Sequence, residues 1–390
     1  MGTKLRRWQK EAFPQWWKAR RGIIKVVTGG GKTFFAIHCI EKYLKKFPYN
    51  NVLIVVPSVP LLDQWSVDMH SIYSSGLSLN GGGYKIDEIS KINITTINSL
   101  KNIHHKFDTS KTFLIIDECH KIGTEKNFNM LNKKFNSSLG LSATPERDFD
   151  NNFEDMIVPI LGPVVYSYDY IQGYKDGIIS DFNLINAYAP LLESEDEDHK
   201  ELTKKINKRI SILGGFDTTD NALKILLFER ARIVNNASNR IPLGVKLMQN
   251  NQRKKWIVFS ESKKQASIFN EFINKYGYRS AIYNTDLSMN IRKRNLREFK
   301  ENMLDVIVTC KSLDEGFDYP EIDAALILSA STTNRQRIQR IGRALRKSTN
   351  KKNALIISLY SSDSEYERLK DESLKFSKEG IRINWTKLNY

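Results

Sequence analysis

The sequence predicts an α/β protein built on two parallel β-sheets that are flanked by helices. Strand-like apolar runs alternate with helical patterns through the first half of the chain, as in 51–56 (NVLIVV) and 112–116 (TFLII). The same alternation returns in the second half without repeating the sequence, beginning at 256–259 (WIVF). A chain of 390 residues is long enough for two domains, which we predict at 1–180 and 181–390.

Each predicted element follows from its local pattern. In the helix that begins at about Thr33, apolar residues recur at helical spacing. The stretch 181–250 is predicted to be a helical, charged lead-in to the second domain, and its acidic run 193–198 (ESEDED) to be a solvated loop. The other predicted strands are 22–27 (GIIKVV), 94–97 (ITTI), 280–283 (SAIY), 305–309 (DVIVT), 324–328 (AALIL) and 354–359 (ALIISL).

Composition indicates an intracellular globular protein with an anionic partner. Sixty Lys and Arg against 44 Asp and Glu leave a net charge of +16, which suits a polyanion, although a basic surface that serves only solubility is the alternative. Cys39, Cys119 and Cys310 are isolated, so neither a disulfide framework nor a zinc site is indicated. The sequence shows no secretory signal and no apolar run of transmembrane length, so no membrane association is expected.

Residues 28–33 (TGGGKT) have the composition of a phosphate-binding loop. Glycines allow backbone N–H groups to point inward, Lys32 can reach the β- and γ-phosphates, and the Thr33 hydroxyl can bind Mg²⁺. A second triplet at 81–83 lacks the Lys-Thr pair. A plain turn is the alternative, because Val26 stands where the strict pattern has glycine. The loop residues assigned to the nucleotide are Thr28, Gly29, Gly30, Gly31, Lys32 and Thr33.

Two carboxylates follow the apolar run 112–116, in the stretch DECH. We assign Asp117 to Mg²⁺, Glu118 to polarising the attacking water, and His120 to coupling. A strand-end Asp-Glu pair that only caps a turn is the alternative. Behind a phosphate loop in the same sheet, the catalytic interpretation is favoured.

A basic helix far along the chain from the phosphate-binding loop is the third candidate component of the ATP site. Gln339, Arg343 and Arg346 are spaced i, i+4, i+7 and share one helical face. Arginines aimed at a γ-phosphate stabilise phosphoryl transfer. An ordinary amphipathic helix carries the same pattern, so this assignment depends on the phosphate loop.

The order of these segments resembles that of superfamily-2 helicases, specifically the XPB/UvsW-like group, over almost the whole chain. The resemblance implies two RecA-like domains with an ATP site in the cleft between them. The matching segments are LRRWQ (5–9), VVTGGGKT (26–33), VLIVVPSVPLLDQW (52–65), ITTINSL (94–100), DECH (117–120), LSATPER (141–147), WIVFSES (256–262), CKSLDEGFDYP (310–320) and QRIGRALR (339–346).

The resemblance also implies roles for single residues. Gln9 would read the adenine edge, Ser142 and Thr144 would couple hydrolysis to movement, and Gly316 and Asp318 would link the nucleic acid to the ATP site. Short hydroxyls and backbone amides can hold a sugar–phosphate track without reading bases. The residues expected to approach that track are Pro57, Ser58, Thr95, Thr96, Ser260 and Thr309.

These expectations describe an ATP- and Mg²⁺-dependent DNA helicase or translocase, of a group that acts in DNA repair and recombination. Its partner would be single-stranded, duplex or branched DNA; RNA stays open, because DECH also occurs in RNA helicases. We expect a monomer and leave accessory protein partners open. The chain begins at the Gln9 segment, without the amino-terminal DNA-recognition domains of larger relatives or an identifiable strand-separating hairpin, which favours translocation over long unwinding. The alternatives are the motor of a restriction or defence complex, and an ATP-switched nucleic-acid clamp with little turnover.

Overall fold

The computed structural model describes residues 5–27, 29–70, 72–73, 76–143, 145, 152–178, 181–217, 219–253, 255–284, 286–310, 322–329, 353–378 and 380–387. The described residues up to Ile178 form one compact unit, and those from Asp181 onward form a second. Within the described residues, no helix combines the length and the apolar character that a membrane span requires.

The first unit is a parallel seven-stranded sheet with the strand order β3-β4-β2-β5-β6-β1-β7. Its central strands are buried along their whole length, as expected for a parallel sheet covered by helices. The strands are β1 Arg21–Val26, β2 Asn51–Val56, β3 Leu77–Asn80, β4 Ile92–Thr96, β5 Thr112–Asp117, β6 Ser137–Ser142 and β7 Val164–Tyr168. The helices are α1 Arg7–Ala19, α2 Lys32–Lys46, α3 Val59–His70, α4 Glu125–Leu131, α5 Val158–Leu161 and α6 Tyr170–Lys175.

The second unit is another parallel seven-stranded sheet, with the order β10-β11-β9-β12-β13-β8-β14. The two sheets and their flanking helices confirm the predicted fold class. The strands are β8 Phe182–Tyr188, β9 Trp256–Ser260, β10 Ser280–Tyr283, β11 Val306–Cys310, β12 Ala324–Ile327, β13 Ala354–Tyr360 and β14 Arg382–Lys387. The helices are α7 Glu193–Leu213, α8 Asn221–Asn235, α9 Arg240–Asn250, α10 Lys263–Lys275, α11 Met289–Lys300 and α12 Asp363–Ser377.

A fully buried arginine in the second unit forms hydrogen bonds with both helices and strand ends. Arg240, at the start of α9, has no exposed surface, and its guanidinium donates to both carboxylate oxygens of Glu365 on α12, at 2.9 and 2.7 Å. The same guanidinium donates to the carbonyls of Val234, Leu328 and Leu359, at 2.7–2.9 Å. The buried charge is therefore both paired and fully hydrogen-bonded, which is the condition under which burial is tolerated.

One sequence-based expectation about the region 181–250 was wrong, and another was incomplete. The acidic run 193–198 is the start of the 21-residue helix α7, not a loop. Acidic side chains in the first turn interact favourably with the helix dipole, which explains why the run can begin a helix. The predicted helical lead-in also contains a strand, because Phe182–Tyr188 pairs with β13 and β14. This strand (FNLINAY) contains no charged residue, a difference from the helices that follow it that the charge-based interpretation overlooked.

Candidate nucleotide-binding site

The loop between β1 and α2 is held from behind by the start of α1. The Arg6 guanidinium donates to the carbonyls of Gly29 and Gly30 at 3.2 and 2.7 Å, and the Trp8 indole N–H donates to Gly30 at 3.0 Å. The Gln9 side-chain amide donates to the carbonyl of Gly31 at 3.0 Å. The carbonyls of three successive loop glycines therefore accept hydrogen bonds from side chains at the start of α1. Such anchoring fixes the loop in one shape, as a phosphate-binding loop requires.

The glycines of this loop are required by its geometry. Gly29 and Gly31 have φ angles of 83° and 94°, in the left-handed region that side chains disfavour. A Cβ on Gly30 would lie 2.5 Å from Cγ1 of Val26. Val26 therefore packs directly against Gly30, and a side chain at position 30 would collide with it. Helix α2 begins at Lys32, directly after the loop, so its N-terminal amides and dipole favour an anion there.

The second glycine triplet has a different structure. Gly81 and Tyr84 exchange backbone hydrogen bonds at 3.0 and 3.1 Å and close a tight turn after β3. No helix begins directly after this turn, and the side chain of Lys85 is exposed. The second triplet therefore lacks the helix N-terminus that would favour an anion, which the first triplet has.

The carboxyl end of β5 brings its two carboxylates to the phosphate loop. The Nζ atom of Lys32 lies 3.0 Å from Oε1 of Glu118, and both side chains are largely buried. Asp117 is buried beside them: its carboxylate accepts the Trp65 indole N–H at 2.9 Å and the backbone N–H of Glu118 at 3.0 Å. Strand β6 separates β1 from β5, so neighbouring carboxyl ends of one parallel sheet assemble this cluster.

The electrostatics of Asp117 suit a cation site. Burial raises the pKa of the Asp117 carboxyl, and the neighbouring Glu118 raises it further, while Lys32 and the Trp65 N–H act in the opposite direction. A buried carboxylate whose charged form is disfavoured gains from a nearby cation, so Asp117 and Thr33 fit Mg²⁺. No group of three or more His, Cys, Asp or Glu able to hold a metal occurs among the described residues. Mg²⁺ sites in phosphoryl-transfer enzymes use one or two carboxylates together with phosphates and water.

Glu118 connects this cluster to the next strand. Its backbone has φ 47° and ψ 53°, a left-handed conformation that is uncommon for a non-glycine residue and often found at functional sites. Its Oε2 lies 3.5 Å from Nδ1 of His120, and that ring nitrogen lies 3.1 Å from Oγ of Ser142 at the end of β6. His120 and Ser142 are both buried. The structure thus joins Lys32 to Ser142 through two intervening side chains.

We expect Asp117→Asn to abolish Mg²⁺-dependent ATP hydrolysis and yet stabilise the nucleotide-free protein at neutral pH. Because the folded-state pKa of Asp117 is raised, the wild type loses stability as pH rises through that pKa, whereas asparagine does not titrate. The free energy of unfolding of the variant should exceed that of the wild type by about 0.5–2 kcal/mol at pH 8 and by less at acidic pH.

Urea denaturation at several pH values measures this difference. Asp63→Asn, on the exposed face of α3, is the matched control, and its effect should stay within about 0.5 kcal/mol at every pH. A wild type more stable than Asp117→Asn at pH 8 would contradict the prediction.

Comparison with known proteins places the chain in a family. Residues 2–147 match the model of the type III restriction enzyme res subunit, and residues 239–348 match the helicase conserved C-terminal domain. The DNA 3′-5′ translocase XPB2 of Sulfurisphaera tokodaii is 30% identical over 376 residues, which cover 91% of this chain and 81% of that protein. The chain belongs to the XPB-like helicases of superfamily 2. Family membership confirms the predicted class of enzyme, an ATP-hydrolysing helicase.

Solved helicase structures share the fold of this XPB-like chain. Yeast Dbp5 bound to RNA and ADP BeF3 superposes with a TM-score of 0.66 at 14% identity, over 99% of this chain and 90% of Dbp5. The Hef helicase domain of Pyrococcus furiosus gives a TM-score of 0.60 at 15% identity, over 95% of this chain and 98% of that domain. Similarity at this level of identity supports the RecA-like fold of the units.

Several predicted residues of the XPB-like chain have hydroxyls already bound to protein groups. Thr95 accepts the side-chain amide of Asn80 at 3.1 Å, and Thr96 donates to Ser99 at 2.9 Å. Ser260 donates to Gln265 at 2.8 Å. All three are buried. These contacts weigh against side-chain binding of phosphate by the three residues in this conformation.

The remaining predicted contacts are different. Ser58 follows β2, next to Pro57, and Thr309 lies near the end of β11. The hydroxyls of Ser58 and Thr309 are enclosed, and no hydrogen-bond partner is found for either in the described part of the chain. Both therefore keep an unused hydrogen-bonding group at a strand end, and their contact with nucleic acid stays a prediction.

Some assignments lie outside the described residues. They are Thr28, Thr144, Gly316, Asp318, Gln339, Arg343 and Arg346. Their proposed roles stay predictions from the resemblance and from residue spacing.

The structure adds three residues that sequence reasoning did not single out. Arg6 and Trp8 bind the loop carbonyls, and Trp65 binds Asp117. All three lie inside segments that carry the family resemblance, LRRWQ and VLIVVPSVPLLDQW. The signal was the tryptophan in each segment, because a buried indole N–H needs an acceptor.

Gln9 has both ends of its amide engaged in this structure. It is fully buried; its side-chain oxygen accepts the Arg6 backbone N–H at 2.8 Å, and its nitrogen binds Gly31. Reading adenine would require the amide to exchange these partners. We expect Gln9→Ala to raise KM about tenfold for ATP and GTP alike, because the anchored loop serves the phosphates of both. Steady-state kinetics with the two nucleotides measure this, and a loss confined to ATP would show adenine recognition instead.

Proposed function

We propose that the protein is an ATP-driven motor that moves along DNA in the 3′ to 5′ direction. The relative from Sulfurisphaera tokodaii is named for that activity, and the net charge of +16 suits a polyanionic track. The observation that carries the proposal is the chain of contacts from Lys32 through Glu118 and His120 to Ser142. It connects the nucleotide-binding loop to the strand end that precedes residue Thr144.

The contacts support a mechanism for hydrolysis. Lys32 binds Glu118, so a γ-phosphate that binds Lys32 would compete directly with that carboxylate. Once released from Lys32, Glu118 orients the attacking water. Because Glu118 also lies next to His120, its movement alters the His120–Ser142 contact. Asp117 and Thr33 would hold Mg²⁺, which supplies neutralisation of phosphate charge when bound.

An ATPase panel tests the proposed substrate. We expect single-stranded, duplex or forked DNA to stimulate hydrolysis, and the protein to displace a third strand from a DNA triplex only when tracking 3′ to 5′. Stimulation by RNA alone would favour an RNA helicase. Tight DNA binding without stimulated turnover would favour an ATP-switched clamp.

A further inference from the structure

An aromatic and basic cleft lies at the carboxyl edge of the second sheet, and none of the described residues assigned above lines it. Strands β8, β13 and β14 are parallel and in register there: Tyr188 pairs with Tyr360 on one side and with Lys387 on the other. The cleft has a volume of about 940 Å³ and is closed by the first half of α7 and the start of α12. Ligands of parallel α/β sheets bind outside the carboxyl ends of the strands, which is where this cleft opens.

Four aromatic rings in mutual contact line the cleft. The Tyr360 centroid lies 5.4 Å from Tyr188, 5.7 Å from Tyr366 and 5.8 Å from Trp385. Trp385 and Tyr366 are 5.1 Å apart. Trp385 nevertheless keeps 39% of its surface exposed. The cluster therefore leaves a ring available to a ligand.

The charges around the rings favour an anionic ligand. Lys200, Lys204 and Lys387 line the cleft, against Asp196 and Asp363. Asp196 is already paired with Lys200 at 2.6 Å, whereas Lys204 and Lys387 form no ion pair with any described residue. Lys387 instead lies over the Tyr188 ring at 5.5 Å. An aromatic cage for a quaternary ammonium ligand would be rejected by these lysines, whereas a base attached to phosphates satisfies both rings and lysines.

We propose that this cleft binds an unpaired base of single-stranded DNA, with the base stacked on Trp385 and the adjoining phosphates near Lys204 and Lys387. The inference rests on the proposed function, because a DNA motor supplies such a strand. It adds a base-binding site at β8, β13 and β14 to the phosphate contact predicted at Thr309 on β11 in the same sheet. Four strand spacings of about 4.8 Å separate β11 from β8, so the two sites lie roughly 19 Å apart, or about six stacked nucleotides.

The test uses the full chain and a single-stranded oligonucleotide that contains 2-aminopurine, with a blunt hairpin duplex of similar charge as the second probe. For Trp385→Ala, we expect quenching of 2-aminopurine to be lost and affinity for the single strand to fall about tenfold, the typical effect of one lost base stack. Duplex affinity should change less than about twofold, and Trp385→Phe should restore most of the single-strand affinity. Tyr49→Ala, which removes a 93% exposed tyrosine from the first unit, is the control.

A charge variant keeps the proposal testable if Trp385→Ala fails to fold. Lys204 occupies an exposed position on α7. Lys204→Ala should weaken single-strand binding and reduce the slope of log affinity against log salt concentration by about 0.7. Unchanged binding in a folded Trp385→Ala variant, an equal loss for duplex, or an unchanged salt slope for Lys204→Ala would overturn the proposal. If wild-type protein binds the single strand without stimulated ATP hydrolysis, the proposed motor function fails independently of the cleft.

Discussion

Replacing Lys32 with alanine should lower ATP hydrolysis by about 10³-fold or more while leaving DNA binding largely intact. The Nζ atom of Lys32 is the cation at the start of α2, and it lies 3.0 Å from Glu118, the residue assigned to orient water. Its removal deletes the phosphate contact and leaves Glu118 without this partner. The DNA-binding residues proposed above lie at other strand ends, so DNA affinity should be preserved.

Lys85→Ala is the matched control for this variant. Lys85 also follows a glycine triplet, but it lies on an exposed turn that no helix continues in the described residues. Its replacement should leave steady-state hydrolysis, with and without DNA, unchanged. Undiminished turnover in Lys32→Ala, or an equal loss in Lys85→Ala, would contradict the assignment of the phosphate loop.

The second large effect concerns stability. Arg240→Met should lower the free energy of unfolding by about 3–5 kcal/mol, because it leaves the buried carboxylate of Glu365 without its ion-pair partner and removes the guanidinium donor from three carbonyls. Urea denaturation followed by circular dichroism measures the loss. Arg240→Met combined with Glu365→Leu should recover part of it, since the unpaired charge is then removed.

An exposed ion pair of the same unit provides the comparison. Arg279 donates to Asp305 at 2.6 and 3.0 Å, but its side chain is 57% exposed. Pairs of this kind contribute about 0–1 kcal/mol, so Arg279→Met should cost much less than Arg240→Met. Equal costs for the two variants would show that the burial of Arg240 has no energetic importance.

The sequence predicts the centre of each sheet better than its edges. Central strands such as β2 and β9 are continuous apolar runs, because both faces of a parallel sheet are covered by helices. Edge and small-residue strands lack that signal: β14 (RINWTK) is mostly exposed, and β6 (SSLGLS) is buried but rich in serine and glycine. Strands β3, β7 and β8 were missed as well, since burial there depends on tertiary packing.

In the candidate site, residues within one short segment were predicted, whereas contacts between segments distant in the sequence were not. The phosphate loop and the Asp117–Glu118 pair were predicted because their chemistry lies in short segments. The ion pair between Lys32 and Glu118 joins residues 86 positions apart, so no pattern within a short segment predicts it. The four-way bonding of Arg240 likewise depends on groups from four separate segments. Neighbouring strand ends in a parallel sheet create such contacts only after folding.

The attachment of α1 to the phosphate loop has a consequence for local unfolding. Arg6, Trp8 and Gln9 bind three successive loop carbonyls, so the loop cannot open while α1 stays in place. The two segments should therefore exchange amide hydrogens as one cooperative unit, with a protection that nucleotide raises in both together. Because a single surface helix opens at a lower free-energy cost than the buried central strands of a sheet, the capacity to bind ATP would be lost at a lower temperature than the fold itself.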